Sequence, residues 1–174
     1  MEIKVHGLKE IEAQLIALGS KEGTKIVRAS MLKASEPILN RARSNVAAIP
    51  GGSGALHQSL GMRFFANARP VSEAGLPTLG GKMSVQIAPL RKDRKAIALY
   101  NLVYKPRRQR KGIFYGHLVE FGHRIVRGGQ QRGSVPARPF LKPALDSGGT
   151  VAVAIFAREL QERIARQLKK NAKK

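Results

Sequence analysis

The chain has 174 residues and no cysteine, which excludes disulfides, thiolate metal sites and thiol catalysis. Its 32 Lys and Arg stand against 11 Asp and Glu, a net charge of +21 that draws the chain to anionic surfaces. Aromatic residues make up only 5% and Trp is absent, which is thin for a platform that stacks single-stranded bases. No apolar run of about 18 residues is present, so a membrane-spanning helix is not expected. The start, "MEIKVHGLKE", lacks the apolar core of a signal peptide, so a protein made and used without export is expected.

In chain order, residues 3–5 read as a short strand. Leu8, Ile11, Leu15 and Leu18 then recur at helical spacing, up to Gly19 and Ser20. A second helix is predicted from an N-capping Thr24 to about Ala47, with Val27, Met31, Ala34, Ile38, Ala42 and Val46 as its apolar stripe. Pro37 falls inside it and should kink it, because proline lacks a donor and crowds the preceding turn. "IPGGSGALHQSL" reads as a mobile connector; it lacks the Lys-Ser/Thr ending of a phosphate-binding loop.

Three strands are predicted next, in "LGMRFFANA", "KMSVQIAP" and "AIALYNLVY". A Pro/Gly-rich loop over 69–81 and a charged turn around Asp93 separate them, which suggests one antiparallel sheet. "KPRRQRK" is the densest basic run. A short helix is expected from Phe114 to Phe121, stopping at Gly122, followed by an extended, basic, Gly-rich arm over 123–139. "PFLKPALDS" begins a helix or turn. A last helix is predicted over 150–171, with Val153, Phe156, Leu160, Ile164 and Leu168 on one face. The fold class expected is α+β, with helices packed on an antiparallel sheet and long basic loops or arms. The chain reads as one domain over 1–171, with a basic loop at 105–112 and a frayed basic tail at 172–174.

Several constellations could carry chemistry. His117, Glu120 and His123 are three apart, and on a helix the first two share a face. His123 lies beyond the helix-ending Gly122, however, and the spacing is not that of the His-Glu-x-x-His zinc hydrolases. A structural role is favoured, with Leu118, Val119 and Phe121 anchored in the core. Asp93 and Asp146 stand isolated, and no serine sits in a nucleophile-elbow context, so no enzyme and no cofactor are expected. "RRQRKGIFYG" partly resembles the RNA-binding strand signature, but Ile113 stands where an aromatic should stack a base. The basic C-terminal helix could lie on an anionic membrane, yet its stripe is that of a helix packed on a core.

Two linked stretches carry a family resemblance. The first is Tyr115, Gly116 and His117 leading into Val119, Glu120, Phe121 and Gly122. The second, after a basic arm, is Pro136, Ala137, Arg138, Pro139, Phe140, Leu141, Pro143 and Ala144. In this order, and with an opening like "IKVHGLKEIEAQLIAL", an Ala-rich helix with an inner proline and "GGSGALHQSL", nearly the whole chain is similar to one family. That family is the small neck, tail-completion or minor tail-component proteins of long-tailed bacteriophages. The chain departs from the pattern at His123, where a Thr or Ser is usual, and in the unusually basic insertion around Lys105.

The resemblance implies a non-enzymatic virion protein, made in the host bacterial cytoplasm. It would form a ring, commonly hexameric, at the head-proximal end of the tail tube, where it stops tube growth and docks to head-connector or neck proteins. On that expectation Phe121 and Phe140 are anchors, and Gly122 supplies a turn that a Cβ would strain. Pro136, Pro139 and Pro143 stiffen the arm, and Glu120 and Arg138 are candidates for an ion pair, within one subunit or between two. Lys105, Arg107, Arg108, Arg110, Lys111, Arg124, Arg127 and Arg132 form a basic surface for acidic neighbours or for DNA in the channel. The alternatives are a basic nucleic-acid-binding module and a metal-dependent enzyme.

Overall fold

Gly19, at φ 81°, lets the chain leave one helix and begin the next almost at once. Helix α1 is Leu8–Ala17 and α2 is Ser20–Ala47. The second helix therefore starts four residues before Thr24, and Thr24 lies inside it. Glu22 in its first turn suits the positive end of the helix dipole. The computed structural model describes residues 8–51, 54–66, 83–90, 92–105 and 115–173. The strand read at 3–5, the loop at 69–81 and the core of the basic run lie outside them.

The remaining elements are α3 (Ala55–Ser59), β1 (Leu60–Ala66), β2 (Met83–Pro89), α4 (Arg94–Tyr104), α5 (Gly116–Phe121), β3 (His123–Arg127), β4 (Gln130–Val135) and α6 (Leu141–Asn171). The architecture is mixed α+β: two long helices pack together, and β1–β2 and β3–β4 form two separate antiparallel pairs. The chain divides into two compact units, one of residues 1–36, 64–86 and 150–174, the other of 37–63 and 87–149.

In the first unit, Ile11 and Leu15 of α1, Ile26 of α2, and Leu160 and Ile164 of α6 form a buried cluster, flanked by Leu18, Val27 and Phe156. Ile11/Leu15 and Leu160/Ile164 are i,i+4 pairs, each on one face, so α1 and α6 contribute stripes that meet Ile26 of α2 in one core. The outer faces carry exposed pairs such as Glu22–Lys25 and Lys33–Glu36, each 2.7 Å apart. Such exposed pairs add little stability.

In the second unit, Ile38, Ala42 and Val46 of α2 are buried with Leu56, Leu60, Ala96, Phe140 and Ala144. Here α6 passes close to α2. A Cβ built on Gly148 would lie 3.0 Å from Ile38 Cγ1. That approach accounts for a residue without a side chain at 148, and α6 runs unbroken through Gly148 and Gly149 from Leu141, nine residues earlier than the sequence suggests. Gly148 is a contact point with α2, not a break, while a Cβ at Gly149 would meet nothing within 4 Å.

The expected third strand, "AIALYNLVY", is helix α4. A short apolar run fits a buried strand or a helix equally well by composition. Asp93 decides it. Its backbone is extended, and its carboxylate accepts the Ala96 N–H at 2.7 Å, a side-chain N-cap. Lys105, at φ 41°, ends the helix in the left-handed region with its N–H on Asn101 O. The single three-stranded sheet is thereby replaced by two ribbons.

Candidate functional site

Glu120 is 6% exposed, although it sits on a six-residue helix. Its Oε2 accepts the backbone N–H groups of Phe140 at 2.8 Å and Leu141 at 3.0 Å, and Oε1 accepts that of Lys142 at 3.1 Å. These are the first N–H groups of α6, which no intrahelical carbonyl can satisfy. A carboxylate placed there also meets the positive end of a 31-residue helix. Glu120 is thus the N-cap of α6, supplied from another helix. Beside it, Val119 O accepts the Arg138 N–H at 2.8 Å. The two halves of the sequence pattern are stitched together through residues 119 and 120.

Gly122 turns the chain away from this clamp with φ 71° and ψ 172°, a conformation essentially reserved for glycine. A Cβ there would lie 2.7 Å from both Val135 O and Ala137 N. Phe140 is fully buried, and its carbonyl accepts Asn45 Nδ2–H at 3.0 Å. Pro143 stands in the first turn of α6, where its missing N–H costs nothing. Pro139 is exposed.

Two expected roles are corrected. Phe121 is not a core anchor: it is 79% exposed, because the inward direction of α5 is taken by Glu120. Arg138 makes no ion pair with Glu120 inside the chain. Its Nη1 points to Pro50 O at 3.5 Å, and the Glu120 oxygens are occupied by backbone donors.

The arm expected at 123–139 is mostly a β-hairpin. Gly128 and Gly129, at φ 59° and 77°, form a two-residue turn between the paired Arg127 and Gln130. Pairing runs back to His123↔Val135. The register jumps from Ile125↔Gly133 to Val126↔Gln131, which leaves Arg132 as the extra residue of a bulge. A Gly-Gly pair after a β-branched run, here Ile125 and Val126, is a local hairpin signal that the reading as an extended arm passed over. Glu120 as a cap had no such signal, since its partners lie twenty residues downstream.

Tyr115 packs against Tyr100, ring centroids 5.7 Å apart, and borders a cleft of about 520 Å³ lined by Val46, Ile49, Leu56 and Tyr104. Among the described residues, the titratable side chains on it are His57, Tyr104 and Tyr115. His117 is exposed, and among the described residues no three His, Asp or Glu are grouped to hold a metal. Arg124, Arg127 and Arg132 are exposed on the hairpin, as is Lys105 beyond α4. Arg107, Arg108, Arg110 and Lys111 lie outside the described residues. Compared with known protein families, curated proteins and solved structures, the chain has no significant match.

Proposed function

We propose that the chain is a structural subunit of the neck or tail-completion assembly of a long-tailed bacteriophage. Copies form a closed ring at the head-proximal end of the tail tube, contacting the tube protein on one side and the head-connector or neck proteins on the other. One observation carries the reading. Within the Glu120-Phe121 pair of the family-like pattern, the acid is buried as a cap and the aromatic is held out at 79% exposure. A large apolar group fixed on a braced turn suits contact with another chain. Leu102 and Val103 of α4, 69% and 52% exposed, add to the apolar surface of the same unit.

The +21 charge shapes how such a ring assembles. Identical cationic copies repel, so closure needs screening by salt or an anionic neighbour. Size-exclusion chromatography with light scattering on the full chain tests the reading. A closed oligomer that gains population at higher salt, and that Phe121→Ser dissolves while the circular dichroism stays unchanged, is the expected result. A monomer under all salt conditions, with no binding to tail tubes, would sink it.

A further inference from the structure

The β3–β4 hairpin is a two-stranded ribbon exposed along almost its whole length, and its charge is of one sign. After Glu120 the next acidic residue is Asp146; between them lie Arg124, Arg127, Arg132, Arg138 and Lys142. Among the described residues no carboxylate lies within ion-pair distance of Arg124, Arg127 or Arg132. Alternation along β3 sends Arg124 and Arg127 to opposite faces, and the bulge sets Arg132 apart on the other strand. Guanidinium groups therefore leave the ribbon in several directions. Gln130, Gln131 and Ser134 add neutral hydrogen-bonding groups, and the tip is bare glycine backbone with nothing within 4 Å of a Cβ at Gly128 or Gly129.

We propose that this ribbon binds duplex DNA, entering a groove with its guanidiniums on the phosphates of both walls. A two-stranded β-ribbon fits the major groove, about 12 Å wide. Cations on both faces suit a ligand that surrounds the ribbon with negative charge. An acidic protein would pair with one edge or one face and leave half of the arginines unmatched. Phosphate contact through arginine is sequence-independent, so the expected mode is non-specific and strongly salt-dependent. Ile125 and Val126 are placed to touch sugars or thymine methyl groups once the ribbon is seated. The proposal does not rest on ring formation, and its salt dependence has the opposite sign: DNA binding weakens as salt rises, whereas assembly of cationic copies strengthens.

The test is fluorescence anisotropy of a labelled duplex titrated with the full chain over a salt series. Three proteins are compared: the parent, the triple variant Arg124→Gln, Arg127→Gln, Arg132→Gln, and a control of equal charge change, Lys169→Gln, Lys170→Gln, Lys173→Gln. The ribbon variant should lose at least about tenfold in affinity and flatten the log–log salt slope by about 3, one counterion per phosphate released. The control should change far less. A second measurement uses the absence of cysteine: a fluorophore on Ser134→Cys should respond to DNA, and one on Ala172→Cys should not. The proposal is overturned if the parent does not bind, if the control loses as much as the ribbon variant, or if the Ser134→Cys label stays silent. Tighter ribbon-dependent binding to poly-glutamate than to DNA would also overturn it, in favour of an acidic protein partner.

Discussion

Glu120 Oε2 lies 2.8 Å from the backbone nitrogen of Phe140, and that contact joins α5 to the start of α6. Two further N–H groups converge on the same carboxylate. Charge-assisted bonds of this kind are short and about twice as strong as neutral ones. Removing the acceptor would leave one buried and two partly buried donors without partners, which is costlier than the bonds are stabilising.

Glu120→Ala should therefore destabilise the chain by about 3 kcal/mol or more. Glu120→Gln should recover only part of this, since its amide nitrogen would face donors. Urea unfolding of the three proteins measures both. A loss under about 1 kcal/mol for the alanine variant, that of one neutral hydrogen bond, would show that α6 finds its cap elsewhere.

Gly122→Ala should cost about 2 to 3 kcal/mol, because φ 71° with ψ 172° is strained for any L side chain and the new methyl meets backbone on two sides. Gly19→Ala is the comparator. It also has positive φ, but its Cβ would enter open space, so about 1 kcal/mol is expected. Thermal midpoints should rank parent, Gly19→Ala, Gly122→Ala from highest to lowest.

The two glycines inside α6 should behave oppositely. A methyl added at Gly149 would have nothing within 4 Å, so Gly149→Ala should stabilise by about 0.5 to 1 kcal/mol through helix propensity. Gly148→Val should destabilise, because Ile38 Cγ1 stands 3.0 Å from the first added carbon. Combining it with Ile38→Ala should return part of the loss, and a double-mutant cycle with no coupling would count against the close approach.

Asp93→Ala should remove the N-cap of α4 and cost about 1 kcal/mol, while Asp93→Ser should cost only a few tenths. Hydrogen exchange at Ala96 and Ile97 reports the fraying directly. Unchanged protection there would mean that packing alone holds the first turn.

The apolar stripes were legible without coordinates. Ile38, Ala42 and Val46 are buried as their spacing requires, and so are Leu160 and Ile164, while Leu168, expected on the same face, is 38% exposed. The α+β class follows from the same periodicities. Gly122 as a helix stop was legible too, because glycine tolerates dihedrals that other residues do not. The run after Asp93 was not, since a short apolar segment has no period long enough to separate strand from helix, and the deciding bond is a side-chain cap. The length of α6 was not legible either. Gly148 reads locally as a break, and only the approach of Ile38 turns it into a contact.

By itself, then, the sequence determined which positions are apolar, where the backbone can turn, and that the chain is strongly cationic, because these are properties of single residues and their local spacing. Tertiary structure decided that Glu120 reaches across twenty residues to cap α6, and that Phe121 is thereby turned outward. Those outcomes depend on which distant groups approach within hydrogen-bonding distance, and no local period encodes that.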